Sequence, residues 1–329
     1  MVESPARQIE TRVRQGLSWH RLRHRPFVRY IAPAHRPKRG PWLALVVVVV
    51  IQVISLAIAY RVAEEYFPQL FFDGGPGALR ETNAEFLLFN LAVISGELLL
   101  FAVFVPLFHR RSFWSLFGPS PLFWRGMAAC LVPVALTFVA SYVYELIDPI
   151  GPEWPQYQEP IADAAIYMGT AAILIVFQAT SEEVMFRGYL VQQIAVRWSS
   201  PFFWAILPSV AFGLLHFGDG TDPERAWGAA ITAGLTGLAF AYTTWRTGSL
   251  GFAVGYHIIN NWLAILVFGE AGDEFAAMGL WLYPPLSGTE MVIWSAFFSA
   301  LMMLSLEIPP VRRWLRLPPL WGRRQSISQ

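Results

Sequence analysis

The chain has 329 residues, of which 55% are hydrophobic and 14% charged, with a mean hydropathy of +0.44 and a formal net charge of +1. Ordinary soluble domains carry about 25% charged residues, so this balance excludes a soluble globular enzyme and predicts an all-α, polytopic membrane helix bundle with no nucleic-acid partner. The single cysteine, Cys130, excludes an intramolecular disulfide and a cysteine-based metal site.

Residues 1–41 form a basic segment expected in the cytosol. In RVRQGLSWHRLRHRPFVRYIAPAHRPKRG, Leu17, Trp19, Leu22 and Phe27 are spaced among arginines. Two readings fit: a short interfacial helix whose partner is the anionic headgroups of the bilayer, or a basic tail that enforces topology. A helix that crosses the bilayer needs about 20 mostly apolar residues. Between 42 and 307 eight stretches approach this: 42–60, 86–108, 122–146, 164–186, 202–217, 226–245, 250–269 and 290–307. The first is long and follows a lengthy basic stretch, so it is expected to stay as an anchor and not to be cleaved as a signal. With the N terminus in the cytosol, Arg61, Arg80 and Arg225 are the only Lys or Arg outside, while Glu64, Glu65, Asp148, Glu153, Asp219, Asp222, Glu270 and Asp273 gather there. That distribution predicts an even number of spans with both termini cytosolic. The segments FFDGGPG and DPIGPEWPQYQEP are Pro/Gly-rich and read as loops. Residues 308–329 are a basic tail, and neither a repeat nor a second domain is evident.

Ionisable groups inside a span cost about 2.5–3.5 kcal/mol each on insertion scales and so tend to mark function. Glu97, Glu182, Glu183, Arg187, His216, His257 and Glu307 lie in or beside the apolar segments, with the amides Asn260 and Asn261. His20, His24, His35 and His109 sit in arginine-rich stretches and need no special explanation. A lone buried histidine is usually structural; His216 and His257, taken with two glutamates and an amide, point to a site. Residues four apart on a helix are neighbours, so Glu183 and Arg187 share a face, and Glu182 is turned about 100° away. His257 and Asn261 project together, and Asn260 is expected to bond to a neighbouring helix. Glu97 is expected to pair across the bundle or to line a cavity, and Glu307 to be interfacial.

Depth constrains the pairing. A helix ending at Thr180 would leave Glu182 at the membrane face, far from His216. VMFRGYLVQQIAVRW stays largely apolar, so the fourth helix is expected to run to about Arg197, with Glu182 midway along it and level with His216. His257 then lies about 10 Å shallower by helical rise, a gap for tilt or a kink at Pro208 to absorb.

Three motifs occur in order: EEVMFR (Glu182 to Arg187), FGLLH (Phe212 to His216) and HIINN (His257 to Asn261). Over roughly 164–265 the chain resembles the CPBP family, the CAAX-processing and bacteriocin-processing intramembrane endopeptidases also called abortive-infection proteins. The resemblance implies that Glu182 is the catalytic carboxylate, supported by Glu183 and Arg187. His216 would hold the attacking water, and His257 with Asn261 would stabilise the oxyanion. It also implies a membrane-associated protein or peptide substrate, lipidated or not, and a bacterial cytoplasmic (inner) membrane as location. Zn2+ on Glu182, His216 and His257, with water in the fourth place, is one option. Nothing here resembles the H-E-x-x-H signature, and metal-free water activation is the preferred reading. The alternatives are a non-catalytic scaffold or immunity protein of the same fold, and a proton-coupled transporter, for which no inverted repeat is seen.

Overall fold

The computed structural model describes residues 25–35, 41–66, 84–151, 154–159, 164–218, 222–271 and 278–320. In chain order its helices are α1 (Arg25–Ile31), α2 (Pro41–Tyr66), α3 (Ala84–His109), α4 (Ser120–Ala129), α5 (Leu131–Ile147), α6 (Ala164–Glu183), α7 (Val191–Ala195), α8 (Leu207–Leu214), α9 (Pro223–Thr247), α10 (Gly251–Trp262), α11 (Gly288–Ser305) and α12 (Pro309–Trp314). Three π-helical turns join or extend them, at Val184–Leu190, Phe202–Ile206 and Leu263–Val267.

Five helical runs are long and apolar enough to cross a membrane: Trp42–Tyr66, Ala84–His109, Ser120–Ile147, Ala164–Ala195 and Gly288–Ser305. They turn large side chains outward, among them Val49, Leu56, Leu99, Val139 and Ile173. An apolar surface of this kind suits hydrocarbon, and the protein is an integral membrane protein. The other three expected spans are helical but differ in kind. Phe202–Leu214 and Gly251–Val267 are apolar but short. The 25-residue α9 carries Thr232, Thr236, Thr243, Thr244 and Arg246 and packs mainly between α8 and α11. The count of eight and the placement of both termini therefore rest on the sequence alone.

The all-α expectation needs one addition. Strands β1 (Gln156–Tyr157), β2 (Phe268–Glu270) and β3 (Trp281–Tyr283) form a small sheet in the order β1-β3-β2. β1 is antiparallel and β2 parallel to β3. The stretch expected as helix to 269 thus leaves the helix after Val267.

The part of the basic N-terminal segment that can be described, α1, packs into the bundle. Phe27, Tyr30 and Ile31 are fully buried, and Phe27 packs on Trp204 with ring centroids 4.8 Å apart. Leu17, Trp19 and Leu22 lie outside the described residues. Gly248 ends α9 in the left-handed region at φ 69°, where a glycine carries no Cβ penalty. A Cβ there would also collide with the Pro26 carbonyl, so the same glycine admits α1 to the bundle. Close by, buried Arg246 meets both oxygens of Glu307, at 2.7 and 3.1 Å, and the carbonyl of Pro318. Glu307 is thus one half of an ion pair that ties α9 to the C-terminal segment.

His109 also departs from expectation. It is buried, with Nε2 2.6 Å from the Tyr189 hydroxyl and Nδ1 3.4 Å from the Gln193 amide. The neighbouring Arg111 donates to Gln192 Oε1.

Candidate active site

The run from Gln178 to Gln193 is buried at every position, whereas earlier residues of the same helix, such as Ile166 and Ile173, are exposed. The charged groups therefore lie in the enclosed half of a continuous run that reaches Ala195, as the apolar continuation predicted. Glu182 and Glu183 close α6, and the π turn Val184–Leu190 follows at once. Such turns are rare and often accompany functional sites.

Arg187 Nη1 donates to Glu183 Oε1 at 3.0 Å, with both side chains almost wholly buried. Two charges removed from water need support beyond their mutual attraction. Three aromatic faces surround the guanidinium, Phe212 at 4.4 Å, Phe240 at 5.3 Å and Phe186 at 5.6 Å, a cation–π setting. Gly237 makes room: a Cβ there would stand 2.5 Å from Arg187 Nη2.

His257 on α10 spans the glutamate pair. Its Nδ1 is 3.0 Å from Glu183 Oε1 and its Nε2 3.5 Å from Glu182 Oε2. The ring stacks on Phe240 at 5.4 Å and meets Phe212 edge-on. Gln178, one turn before Glu182, donates to Glu182 Oε1 at 2.8 Å and accepts from Asn261 Nδ2 at 3.0 Å. Asn261 Oδ1 accepts in turn from Asn260, so Asn260 bonds to its neighbour and not, as expected, to another helix. Glu182 Oε2 accepts no hydrogen bond.

His216 stands apart from this network. It is exposed just after α8, with Nδ1 2.8 Å from the Phe212 carbonyl and its ring 4.6 Å from that of Phe212. A carbonyl only accepts, so Nδ1 carries the proton and Nε2 is left as an acceptor. His216, Glu182, Gln178 and Asn261 line one cavity of about 1320 Å3. Across it, Gln52 on α2 donates to Glu97 Oε1 on α3 at 2.9 Å and lies 3.6 Å from Met185 Sδ. Glu97 thus both pairs across the bundle and lines the cavity.

Of the six motif residues, Glu182, Glu183, Arg187, His257 and Asn261 are joined through direct contacts and Gln178, and His216 faces them across the cavity. Among the described residues, no three His, Cys, Asp or Glu side chains are grouped as ligands of one metal ion. Glu182, His216 and His257 are not grouped in that way in this structure. Gln178 was missed in the sequence. Its only signal was the spacing of four to Glu182.

The helical membrane bundle encloses a glutamate pair, a bridging histidine and a facing histidine. Within it, residues 164–263 match the family model described as type II CAAX prenyl endopeptidase Rce1-like, so the resemblance carried by the three motifs holds for that segment. YyaK, an uncharacterized protein of Bacillus subtilis (strain 168), is 29% identical over 196 residues, 58% of this chain and 62% of YyaK. The match thus spans less than two thirds of that relative. No solved structure matches.

Proposed function

We propose that the protein is an intramembrane endopeptidase that hydrolyses a peptide bond in a membrane-associated protein or peptide, without a metal. One observation carries this reading: Glu182, which lines a cavity with His216, keeps an oxygen without a hydrogen bond, while Arg187 pairs with the adjacent Glu183 and His257 spans the two. The two carboxylates thereby divide their roles.

A water between Glu182 and His216 would donate one hydrogen to Glu182 Oε2 and the other to His216 Nε2. Glu182 takes a proton as the water oxygen bonds to the carbonyl carbon, and the electron pair of the C=O moves to oxygen. Asn261 Nδ2 has two hydrogens, of which Gln178 takes one, so the second serves the oxyanion. One donor of this kind is commonly worth about 3–4 kcal/mol. Both ring nitrogens of His257 face carboxylates, so it acts here by orienting and coupling them. Collapse of the adduct breaks the C–N bond, and the proton held by Glu182 passes to the leaving amine. A base in this position contributes about 10²–10⁴-fold.

The test is cleavage of prenylated and unmodified peptide libraries by purified wild type, Glu182→Gln and His216→Ala, with and without chelator. Wild type is expected to cleave with chelator present and both variants to fail. Equal activity in all three would remove the site assignment, and loss on chelation with recovery on zinc would remove the metal-free step. We take its membrane to be a bacterial cytoplasmic membrane, as the family resemblance implies, with the orientation set by the charge distribution along the chain.

A further inference from the structure

The cavity has a one-sided charge. Among the described residues its walls carry six carboxylates, Glu97, Glu145, Asp148, Glu182, Glu270 and Glu290, and neither Lys nor Arg, in a chain whose 24 basic and 23 acidic residues nearly balance. Arg225 reaches Glu270 from outside the lining. Among the described residues, none of the other five carboxylates is paired with Lys or Arg. Aromatic faces stand between them, including Tyr144, Tyr283 and Trp294.

The arrangement is extended. Phe86 near the start of α3 and Glu97 farther along it both line the cavity, and eleven residues of helical rise separate them by about 16 Å. Glu145, Asp148, Glu270 and Glu290 lie at the same end of the bundle as Phe86, by the ends of α5 and α11 and in β2. An extended peptide advances roughly 3.3 Å per residue, so this depth takes about five residues. A volume of about 1320 Å3 exceeds the roughly 300–1,000 Å3 of small-molecule pockets. The carboxylates are not grouped as a metal site would need. At the inner end Glu182, a residue 8% exposed, lines the cavity and keeps one oxygen without a hydrogen bond, 3.5 Å from His257 Nε2.

We infer that the cavity is a recognition channel for a basic peptide segment: substrate enters with Lys or Arg residues threaded past the mouth carboxylates and presents the bond beyond them to Glu182. The cleavage step rests on the peptidase reading, but the binding step is measurable without it. Aromatic rings and carboxylates together suit ammonium and guanidinium groups, and a run of one sign in a low-dielectric channel strengthens the attraction.

The experiment uses the full chain in neutral detergent. Three fluorescent peptides share one apolar stretch and differ in a five-residue flank of Lys, Gln or Glu. Binding to Glu182→Gln, which holds substrate uncut, is expected to rank Lys, then Gln, then Glu, with about tenfold between the first two and most of that gap lost at high salt, as screening requires. Glu145→Lys with Asp148→Lys, at two exposed positions, should abolish the ranking; Glu145→Gln with Asp148→Asn should reduce it. Equal binding of the three peptides, or an unchanged ranking in both double variants, would overturn the inference. So would displacement of the Lys peptide by calcium beyond that by potassium at equal ionic strength, which would mark a cation site. If the Lys peptide binds preferentially and wild type cleaves none of the three, the peptidase reading fails and the channel stands. If wild type cleaves all three without charge preference, the channel fails and the peptidase reading stands.

Discussion

Two fully buried arginines occupy different parts of the bundle, and they are paired with glutamate in different ways. Arg246 meets Glu307 through two nitrogens and adds the Pro318 carbonyl, the two-pronged geometry that gives the strongest charge-assisted bonds. Arg187 makes one bond to Glu183 and otherwise rests on aromatic rings. Around it, Glu183 Oε2, Glu182 Oε2 and Arg187 Nη2 accept or donate no hydrogen bond. Arg246 Nη1 likewise makes no hydrogen bond, so the difference lies in the carboxylates: both Glu307 oxygens are engaged, as suits a pair that only holds helices together. The Arg187 region leaves capacity unused at the place where a reacting water and a substrate carbonyl would add partners, which suits a site whose bonds are completed only during reaction.

The largest test of this contrast is Glu182→Gln. The isosteric amide can keep the contact with Gln178 but cannot take a proton, so turnover should fall about 10²–10⁴-fold while the melting temperature stays close to wild type. A large drop in melting temperature would assign Glu182 to the scaffold. Glu307→Ala should do the opposite. It leaves Arg246 buried without its carboxylate, a loss of about 3–5 kcal/mol, read as a lower denaturation midpoint, with activity per folded molecule retained. Replacing both partners with apolar residues, Arg246→Met and Glu307→Leu, should recover much of that stability. The parallel double change at Arg187 and Glu183 should recover folding and not activity.

The parts of this contrast legible in the sequence are those written in local spacing. Glu183 and Arg187 share a face because four residues make just over one turn, and the apolar run after Glu183 extended the helix far enough to bury both. What the sequence hid depends on docking. His109 reads as part of an arginine-rich loop until the end of α3 meets Tyr189 and Gln193. Phe27 reads as part of a basic segment, interfacial or tail-like, until Gly248 lets α1 into the bundle. His216 and His257 look alike as histidines in apolar helices, yet one is exposed against its own helix and the other lies between two glutamates. Strands of two or three residues are too short to show any period. Five of the cavity's six carboxylates, Glu97, Glu145, Asp148, Glu270 and Glu290, lie outside residues 164–263, so no motif in that segment could signal them.

A smaller effect is expected at Gln178, which orients both Glu182 and Asn261. Gln178→Leu keeps the volume and removes both bonds. A net hydrogen bond is worth about 0.5–1.5 kcal/mol, so loss of both should lower kcat roughly 10- to 100-fold, with little change in KM if the bonds matter most as charge develops. Gln178→Asn, too short to reach both partners, should fall in between. A variant that raised KM alone would place Gln178 in substrate binding.

The smallest effect sharpens the contrast from outside the site. The Tyr30 hydroxyl lies 2.8 Å from the Leu116 carbonyl and 3.0 Å from that of Arg187, so α1 reaches the backbone of the π turn from 157 residues earlier in the chain. Tyr30→Phe keeps the ring among its neighbours and removes only the hydroxyl that the two carbonyls share, a change of about 0.5–1.5 kcal/mol. If the bond serves the bundle generally, the melting temperature should fall slightly with kcat unchanged. The position of the bond, on the carbonyl of the residue that neutralises Glu183, leads us to expect that kcat falls a few-fold as well, because a shift in that turn moves Arg187 and frees Glu183 to compete with Glu182 for the proton. Glu183→Gln removes that competition, so the extra loss of kcat from Tyr30→Phe should vanish in the Glu183→Gln background while the loss in melting temperature persists.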